Sequence, residues 1–573
     1  MYRPCDAAGD LLSRRQFLRA GIGLTGLGIV SLAAACAPAA PAAAPTVAPP
    51  TSVASAATPA SVAEPTIAPA PPTAAAVVPT TAPAQTPGSA GAAASGTLVA
   101  TASGDLQFDP YFAQTRAWFV QGQVFSALFD YQGKDPFSPS GQLAESWEDA
   151  EKTLTVKLRS GVKFHNGRPL TAQDVVDNIE RAKDKSIGHY LFDYFDPTVD
   201  GAEALDPSTV RITYKQAYPL KLDDLTLLYL IPKEAMADIA TKPVGSGPFR
   251  FVNYAPGDKL DLQRFDLYWD AGKPHLAGIQ DKIIPDPQGR IANLSAGSAD
   301  FVDSVSPSDV VRLKTDGNVQ VITPPPGGFW YTNVLNTARP PFDNKQVRQA
   351  LNWSVDREKI AKLAYFGLAP ATQSRYLPDA PWYNQAANTM YSFDLQKSKA
   401  LLAAAGFPNG FQTSMSLTEA TMPGSKAMAQ VWAQDLAQIG VQLSIIEQED
   451  SAFWDAYGKG DWDMVAFGLG DGRLDPASAI NNSSPLRLTN NRSHVETQPF
   501  FAEYSKLVTD GIASTDPRVR KPIYDRIQMI WADESWTINL AFWVIPVLLS
   551  NRVKNYRHPV DQVPHFADIS IQG

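Results

Sequence analysis

The sequence predicts an α/β protein of two lobes. Residues 97–573 amount to about 475 residues, more than a single hydrophobic core ordinarily serves. Up to about residue 335 the chain is rich in hairpin patterns, and beyond it helices and strands alternate as they do in α/β folds. The polar segment from Asn551 onward is expected to return to the first lobe, so we expect two crossings between lobes, near residues 332–335 and 539–542.

The first lobe is expected to consist mainly of short strands. Apolar residues alternate with polar ones in several of its segments, which is typical of half-buried strands. Thr171 followed three residues later by Asp174 is typical of a capping box that opens a helix. Strands are predicted at residues 98–102, 154–158, 211–214, 249–252 and 260–262, the last two forming a hairpin.

The second lobe shows helical spacing that ends at glycines. Helices are predicted at residues 395–405 and 425–439, and each is followed by a glycine suited to a helix C-terminus, Gly406 or Gly440. A strand is predicted directly afterwards, at residues 441–445. This order of helix and strand is typical of an α/β layer.

The first 36 residues are predicted to be an export signal. Arg14 and Arg15 precede an apolar stretch that is shorter than the ~20 residues needed to span a membrane, and the pair resembles a twin-arginine signal. Two alanines before Cys36 resemble a lipobox, in which Cys36 becomes the lipidated first residue. The alternative is simple cleavage near Ala35, which would give a secreted protein.

Residues 37–96 are predicted to be a disordered tether. They consist almost entirely of Ala, Pro, Thr, Val and Ser, with Glu64 as their one charge and with no aromatic residue. Such a segment buries too little surface to offset the entropy of ordering it. A long tether behind a lipid anchor suits a protein that works outside the cell membrane.

Composition excludes several classes of function. The net charge of −9 argues against a nucleic-acid partner. The two cysteines, Cys5 and Cys36, both lie in the signal region, so we expect no disulfide and no cysteine-ligated metal in the mature domain. His165 is isolated among six histidines, and we expect it to be a hydrogen-bonded structural residue, with no metal site.

Several sequence blocks, in this order and spacing, resemble one family. They are residues 143–147 (LAESW), 157–167 (KLRSGVKFHNG), 169–175 (PLTAQDV), 244–251 (VGSGPFRF), 268–269 (YW), 340–344 (PPFDN), 347–352 (VRQALN), 355–357 (VDR) and 403–410 (AAAGFPNG). Together they are similar to the extracytoplasmic solute-binding proteins of the peptide/nickel ABC-importer family (family 5). The resemblance covers essentially the whole of residues 96–558.

This resemblance implies a fold and a set of partners. The implied fold is α/β, two-lobed and periplasmic-binding-protein-like, of class II and cluster C type. Its parts would be a first lobe at 97–333 with an extra subdomain at about 117–242, a second lobe at 334–540, and a C-terminal return at 541–573. The implied role is a monomeric, lipid-anchored protein on the outer face of a bacterial membrane, without a cofactor, delivering cargo to a permease with ATPase subunits.

The sequence gives little support to an enzyme. It contains no Gly-x-Ser-x-Gly elbow, no phosphate-binding P-loop and no dinucleotide fingerprint. A secreted glycosidase using two of the many carboxylates remains a remote alternative.

The resemblance also implies where cargo binds. Dipeptide-binding members hold the cargo carboxylate with an Arg, stack a Trp on it and hold its amine with an Asp. Here the Arg position falls on Glu419 and the Trp position on Asp450. The loop that usually reads Gly-Trp-x-x-Asp follows Phe467 and reads Gly468-Leu469-Gly470-Asp471-Gly472, so its Trp has become Leu469 and its acid has moved to Asp471.

The opposite wall of the expected cleft is the loop Ser103-Gly104-Asp105, where the family offers backbone groups to the ligand. Trp330 and Tyr331 lie near the lobe crossover and are interpreted either as residues that stack on cargo or as hinge packing. The acids of the second wall have an alternative interpretation as solvated loop carboxylates.

The loss of the Arg anchor bears on the cargo. A free carboxylate beside Glu419 would be repelled, which makes a dipeptide held by both ends a poor candidate. We expect an oligopeptide held by backbone hydrogen bonds as an added strand. An oligosaccharide or a cationic small solute is the alternative.

Overall fold

The computed structural model describes residues 96–573. Within this range it leaves out residues 113–116, 136–137, 304, 325, 327–328, 379, 420–421, 471–472, 474, 481–491, 545, 560 and 573. The predicted signal, Cys36 and nearly all of the predicted tether lie outside the described residues. The chain divides into two units, Met1–Ala76 and Val77–Gly573, and all the described residues belong to the second.

Twenty strands form in the described residues. They are β1 (Thr97–Ala102), β2 (Phe129–Asp130), β3 (Ser140–Gly141), β4 (Ala144–Asp149), β5 (Thr153–Leu158), β6 (Val199–Asp206), β7 (Thr209–Tyr214), β8 (Phe249–Ala255), β9 (Lys259–Arg264), β10 (Gly278–Ile283), β11 (Phe301–Val302), β12 (Val319–Ile322), β13 (Phe329–Leu335), β14 (Gln412–Leu417), β15 (Gln442–Glu447), β16 (Met464–Gly470), β17 (Thr537–Phe542), β18 (Val547–Ser550), β19 (Val553–Lys554) and β20 (Ser570–Ile571).

Fourteen α-helices accompany them in the same described ranges. They are α1 (Ala117–Val124), α2 (Ala172–Lys183), α3 (Phe192–Thr198), α4 (Lys221–Leu225), α5 (Pro287–Ser295), α6 (Pro307–Leu313), α7 (Lys345–Trp353), α8 (Arg357–Leu363), α9 (Gln385–Asn388), α10 (Leu395–Ala404), α11 (Ser425–Gln438), α12 (Asp450–Lys459), α13 (Phe501–Ile512) and α14 (Pro517–Glu534).

The first lobe is built on a seven-stranded sheet in the order β12-β18-β11-β1-β10-β9-β8. The central strand β1 is parallel to both of its neighbours, and its alternate residues Leu98, Ala100 and Ala102 are fully buried. The late strand β18 lies between β12 and β11. Arg552, just after β18, donates to both carboxylate oxygens of Asp300 at 2.9 and 3.0 Å, which fixes the end of the chain onto this lobe.

A separate antiparallel sheet, in the order β4-β5-β7-β6, belongs to the first half of the chain. In β5 the residues Leu154, Val156 and Leu158 are buried and alternate with less buried ones, as the sequence pattern predicts. The backbone N–H and hydroxyl of Thr171 both donate to Asp174 at 2.9 Å, which confirms the predicted start of α2.

The second lobe is built on a five-stranded sheet in the order β15-β14-β16-β13-β17. On one face of this sheet, Tyr331 and Leu335 of β13 pack in a core with residues of α7, α8 and α11, including Met428 and Trp432 of α11. Residues of the opposite face, such as Val334 and Phe467, join a core that also includes residues of α12–α14 and extends into the first lobe. The predicted helices that end at Gly406 and Gly440 are confirmed as α10 and α11, and both glycines have positive φ, near 93° and 83°.

The strands place the lobe crossings differently from the boundaries expected from sequence. The expected boundary between residues 333 and 334 falls inside β13, which pairs with β16 and β17 along its length. The expected boundary between residues 540 and 541 falls inside β17. The chain passes from the seven-stranded sheet to the five-stranded sheet between β12 and β13 and returns between β17 and β18, because β13 and β17 are themselves strands of the second sheet. The sequence pattern changes only beyond β13.

His165 has the structural role that the sequence predicts. Its Nε2 lies 3.0 Å from the Gly247 carbonyl oxygen, and its Nδ1 accepts from the Gly245 N–H at 3.4 Å. Burial lowers the pKa of His165 to about 4, so the ring is neutral and Nε2 carries the proton. No cluster of three or more metal-ligating side chains occurs among the described residues.

Candidate functional site

The first wall of the expected cleft is the loop after β1. The Asp105 carboxylate accepts hydrogen bonds from the Tyr254 hydroxyl at 2.6 Å and from the Gly257 N–H at 2.8 Å. These bonds hold the pKa of Asp105 below its usual value and fix the loop onto the β8–β9 hairpin. Next to it, a Cβ added at Gly104 would meet no atom within 4 Å, so the backbone there borders open space. Ser103 is half-buried beside it.

The second wall is the end of β16, where one edge of the strand is unpaired in the described structure. β16 pairs with β13 from Met464 to Gly470, but with β14 only at Met464 and Val465. The Gly468 N–H faces the β14 side and meets the thioether sulfur of Met422 at 3.2 Å. A thioether is a weak acceptor, so a backbone carbonyl arriving at this edge would replace it with a stronger hydrogen bond.

The side chains of the second wall are used in different ways. The ring of Phe467 is buried and packs against Tyr457 and Trp454, at centroid distances of 4.9 and 5.5 Å. Phe467 therefore helps to hold α12 against the sheet. For Leu469 the backbone is described, in register with Trp330, while Asp471 lies outside the described residues.

Glu419 is engaged at the start of α11. Its carboxylate accepts from the Gly424 N–H at 3.0 Å, the Ser425 hydroxyl at 3.1 Å and the Lys426 N–H at 2.5 Å. The N-cap residue of α11 is Gly424, which has no side chain, so the free N–H groups of the first turn need a partner from elsewhere in the chain. Glu419 supplies that partner and places its charge at the positive end of the helix.

Asp450 begins α12, and one of its oxygens lies 3.5 Å from the Thr418 hydroxyl. It is half-buried, and its position ties the loop after β14 to the start of α12. The Thr418 hydroxyl thus links Asp450 to the residue next to Glu419, just after β14.

Trp330 and Tyr331 are both buried, at 2% and 5% exposure. The indole Nε1 of Trp330 donates to the Asn539 side-chain oxygen at 3.0 Å. The Tyr331 ring stacks on Tyr365 at 4.4 Å, and its hydroxyl donates to the Pro423 carbonyl at 3.0 Å. Of the two interpretations, these contacts favour packing near the crossover.

Trp543 is a residue of this region that the sequence did not single out. Its indole ring lies so close to Gly468 that an added Cβ would stand 2.6 Å from a ring atom. It also contacts Tyr331, at a centroid distance of 5.6 Å. Trp543 follows β17 at the second crossing, so the crossing segment lies directly against the backbone of the open edge.

A buried ion pair joins the second lobe to the sheet and helices of the first half of the chain. Arg473, three residues after β16, donates to Asp224 of α4 at 2.7 Å and to the Tyr194 hydroxyl at 3.2 Å. The side chains of the pair are 2% and 5% exposed. The Tyr218 hydroxyl donates to the other Asp224 oxygen at 2.5 Å. No sequence signal separates Arg473 from other arginines, since its partner is far away in the chain.

The comparisons with known proteins agree with this architecture. The model for "Bacterial extracellular solute-binding proteins, family 5 Middle" matches residues 138–486. Heme-binding protein A of Haemophilus influenzae is 30% identical over 486 residues, covering 79% of this chain and 87% of that protein. The glutathione-binding protein GsiB of Escherichia coli K12 is 28% identical over 474 residues, covering 76% and 90%.

Solved structures show the same fold. AgaA of A. tumefaciens R10, in complex with agropinic acid, superposes with a TM-score of 0.72 at 25% identity, covering 83% of this chain and 99% of that one. DppA of Helicobacter pylori, in complex with the peptide STSA, superposes with a TM-score of 0.71 at 24% identity, covering 84% of this chain and 99% of that one.

The chain therefore belongs to the bacterial extracellular solute-binding proteins of family 5, the cargo-binding components of ABC importers. Members of this family are binding proteins and not enzymes, which settles the question of catalysis. Where the structure describes the chain, it has no helix both long and apolar enough to cross a membrane.

The contact between lobes should respond to pH through Asp223. Burial, reinforced by the Asp475 charge, raises the pKa of Asp223 to about 7, against the effect of the Tyr131 hydrogen bond and of Arg473. A carboxyl whose pKa is raised on folding stabilises the folded form fully below its unfolded pKa of about 4. That contribution is lost as the pH rises through about 7.

Asp223→Asn should remove the loss of folding stability that the ionisation of Asp223 causes as the pH rises. We expect its melting temperature to exceed that of the parent at pH 8 by roughly 2–4 °C, the effect of about 1 kcal/mol in a large domain, and to match it near pH 4. Calorimetric scans at both pH values measure this. Glu203→Gln is the control, because Glu203 is exposed in its pair with Arg211. Equal shifts at the two pH values would contradict the assignment.

Proposed function

We propose that this protein captures an oligopeptide as an added strand along the open edge of β16 and delivers it to a membrane permease. The observation that carries the proposal is the incomplete pairing of β16, which leaves the edge from Ala466 to Gly470 without a neighbouring strand in the described structure. Backbone groups of an extended peptide match such an edge without any particular side chain.

The chemistry around the edge supports a cargo held by its backbone. The Glu419 oxygens accept hydrogen bonds from the start of α11. Glu419 therefore provides no group that binds the cargo carboxylate, although it stands where dipeptide binders have an Arg. The open backbone at Gly104 lies on the other expected wall. The relatives are named for heme, glutathione, agropinic acid and peptide, so family membership alone does not select the cargo.

Capture is expected to act through lobe closure. A ligand that contacts both walls binds the closed form better than an open one, and it shifts the population by that difference in affinity. The pair of Arg473 and Asp224 is a contact that closure can make or break. The closed, monomeric protein is the form we propose to dock on the permease, whose ATPase subunits drive import.

A cationic or polyhydroxylated solute, such as an oligosaccharide, is the second candidate. It is favoured by the Asp450 carboxylate, which is half-buried near the end of β14 and is an acceptor for hydroxyl or ammonium groups. This candidate would need no extended backbone.

N-methylation of the cargo distinguishes the two candidates. In an extended strand alternate N–H groups point to the same side, so methylating every second amide of a bound peptide blocks hydrogen bonds to β16. We expect single methylations at those positions to weaken binding about 10-fold or more, equivalent to about 1.4 kcal/mol. Methylation at the intervening positions should change affinity little.

Calorimetry with tri- to hexapeptides and their methylated forms measures this alternation, and the intervening positions are the matched control. Acetylating the peptide N-terminus should change affinity little if the backbone carries recognition. Tight dipeptide binding that needs the free carboxylate would contradict the proposal. Binding of oligosaccharides or polyamines with no peptide binding would favour the second candidate.

We further propose that Cys36 carries a lipid and that residues 37–96 act as the tether between membrane and binding domain. The lipobox-like alanines before Cys36 and the composition of the tether support this. Cys36→Ala should move the protein from the membrane fraction to the medium, as an immunoblot of the fractions would detect. Cys5→Ala is the matched control and should stay with the membrane. If Cys36→Ala also remains with the membrane, lipidation at Cys36 is wrong.

A further inference from the structure

A small internal cavity lies in the second lobe, behind β13 and β17. It offers about 40 Å³ of room for the centres of water molecules, enough for two or three waters or for one carboxylate group. Its lining includes Trp330, Arg357, Arg375, Tyr391, Gln528 and Asn539. A larger cavity of about 360 Å³ shares Arg357 and Tyr391 with it and leads outward.

Arg375 is buried in this lining and has no carboxylate partner among the described residues. It is 3% exposed, and its Nη2 donates to the Arg473 carbonyl oxygen at 2.7 Å and to the Ser478 hydroxyl at 3.2 Å. Its Nε and Nη1 have no hydrogen-bond partner in the described structure. Its guanidinium lies 5.2 Å from the ring centroid of Trp330, which holds it against the cavity.

Arg357 lines the same cavity and, in the part of the chain that the structure describes, also has no acidic partner. Its Nε donates to the Asn539 carbonyl oxygen at 2.6 Å and its Nη2 to the Asn352 side chain at 2.5 Å, and no ion pair to it occurs in the described part of the chain. Burial lowers its pKa to about 10. By contrast, the buried Arg348 and Arg520 pair with carboxylates at 2.9 and 2.6 Å.

One buried and one half-buried guanidinium group line this cavity with no counter-charge among the described residues, which is costly unless an anion compensates them. Guanidinium offers a planar fork of N–H donors that matches a carboxylate or another small oxyanion. We propose that this cavity is an anion site, in which Arg375 and Arg357 bind a single carboxylate or an oxyanion of similar size.

The surroundings of the cavity restrict the charge of that anion. Asp356 and Glu358 line the outer cavity, and the Asp356 carboxylate accepts the Lys359 N–H at 3.0 Å. These acids repel multiply charged ligands along the path, so a monoanion is preferred over a polyanion. The side-chain amides of Asn388 and Gln528 donate to acceptors within the protein, so the two arginines supply the donors for an anion.

Two sources can supply the carboxylate. One is a small free carboxylate from solution. The other is the C-terminal carboxylate of the cargo, since Trp330 is in register with Leu469 of β16 and Arg375 holds the segment that follows that strand. The second source rests on the proposed function, whereas the first does not.

Acetate titration of the intact protein at constant ionic strength tests the site. We expect saturable heat in calorimetry and a rise in melting temperature for the parent. Arg375→Met should abolish both, and Arg375→Lys, which keeps the charge but loses the fork, should weaken acetate binding at least 10-fold. Arg339→Met is the control, because Arg339 is a partly exposed arginine already paired with Asp461 and Asp463.

Peptides separate the sources. If the cargo supplies the carboxylate, C-terminal amidation should cost affinity in the parent and nothing in Arg375→Met, and acetate should compete with the free peptide. If acetate and peptide bind independently, the site takes a free anion. Acetate binding without any peptide binding would leave the anion site standing and refute the proposed function. No saturable acetate binding in the parent, or undiminished binding in a folded Arg375→Met, would overturn the anion site.

Discussion

The buried ion pair between Arg473 and Asp224 is the interaction on which the arrangement of the two lobes depends. Arg473 follows β16 directly, so the strand that we propose as one cleft wall is fixed to the first half of the chain within three residues. Removing one partner of such a pair leaves an uncompensated buried charge, at a cost of about 3–5 kcal/mol. The neighbouring Asp223 and Asp475 add like charges to the same contact, which makes the contact sensitive to protonation.

The open edge of β16 is in direct contact with the crossing segment after β17. Trp543 packs so closely on Gly468 that a side chain there would force the indole ring to move. The same ring contacts Tyr331 in β13, the first strand of the second sheet. We therefore expect a change in the angle between lobes to move atoms next to the Gly468 N–H. This gives a physical route by which cargo on the β16 edge and lobe closure influence each other.

Local structure was predictable from the sequence because its causes are local. Thr171 and Asp174 are three residues apart, and Gly406 ends its helix through its own backbone freedom, so each signal lies within a few residues. The family and its fold followed from ordered sequence blocks. The roles of Glu419 and Arg473 could not be predicted, because each depends on a tertiary neighbour: Glu419 caps a helix that lacks its own cap, and the partner of Arg473 lies 249 residues away. The resemblance to dipeptide binders indicates that Glu419 stands at their Arg position, but it does not indicate the hydrogen bonds that Glu419 makes.

Hydrogen–deuterium exchange of the segment Met464–Gly470 tests the central claim most directly. Without cargo, the Gly468 N–H has only a thioether acceptor, so we expect it to exchange faster than the amides of β16 that pair with β13. A saturating peptide should slow exchange in this segment at least 10-fold, a change of about 1.4 kcal/mol in protection. Protection confined to the region of Arg473, with exchange in β16 unchanged, would show that cargo closes the lobes without adding a strand and would contradict the account.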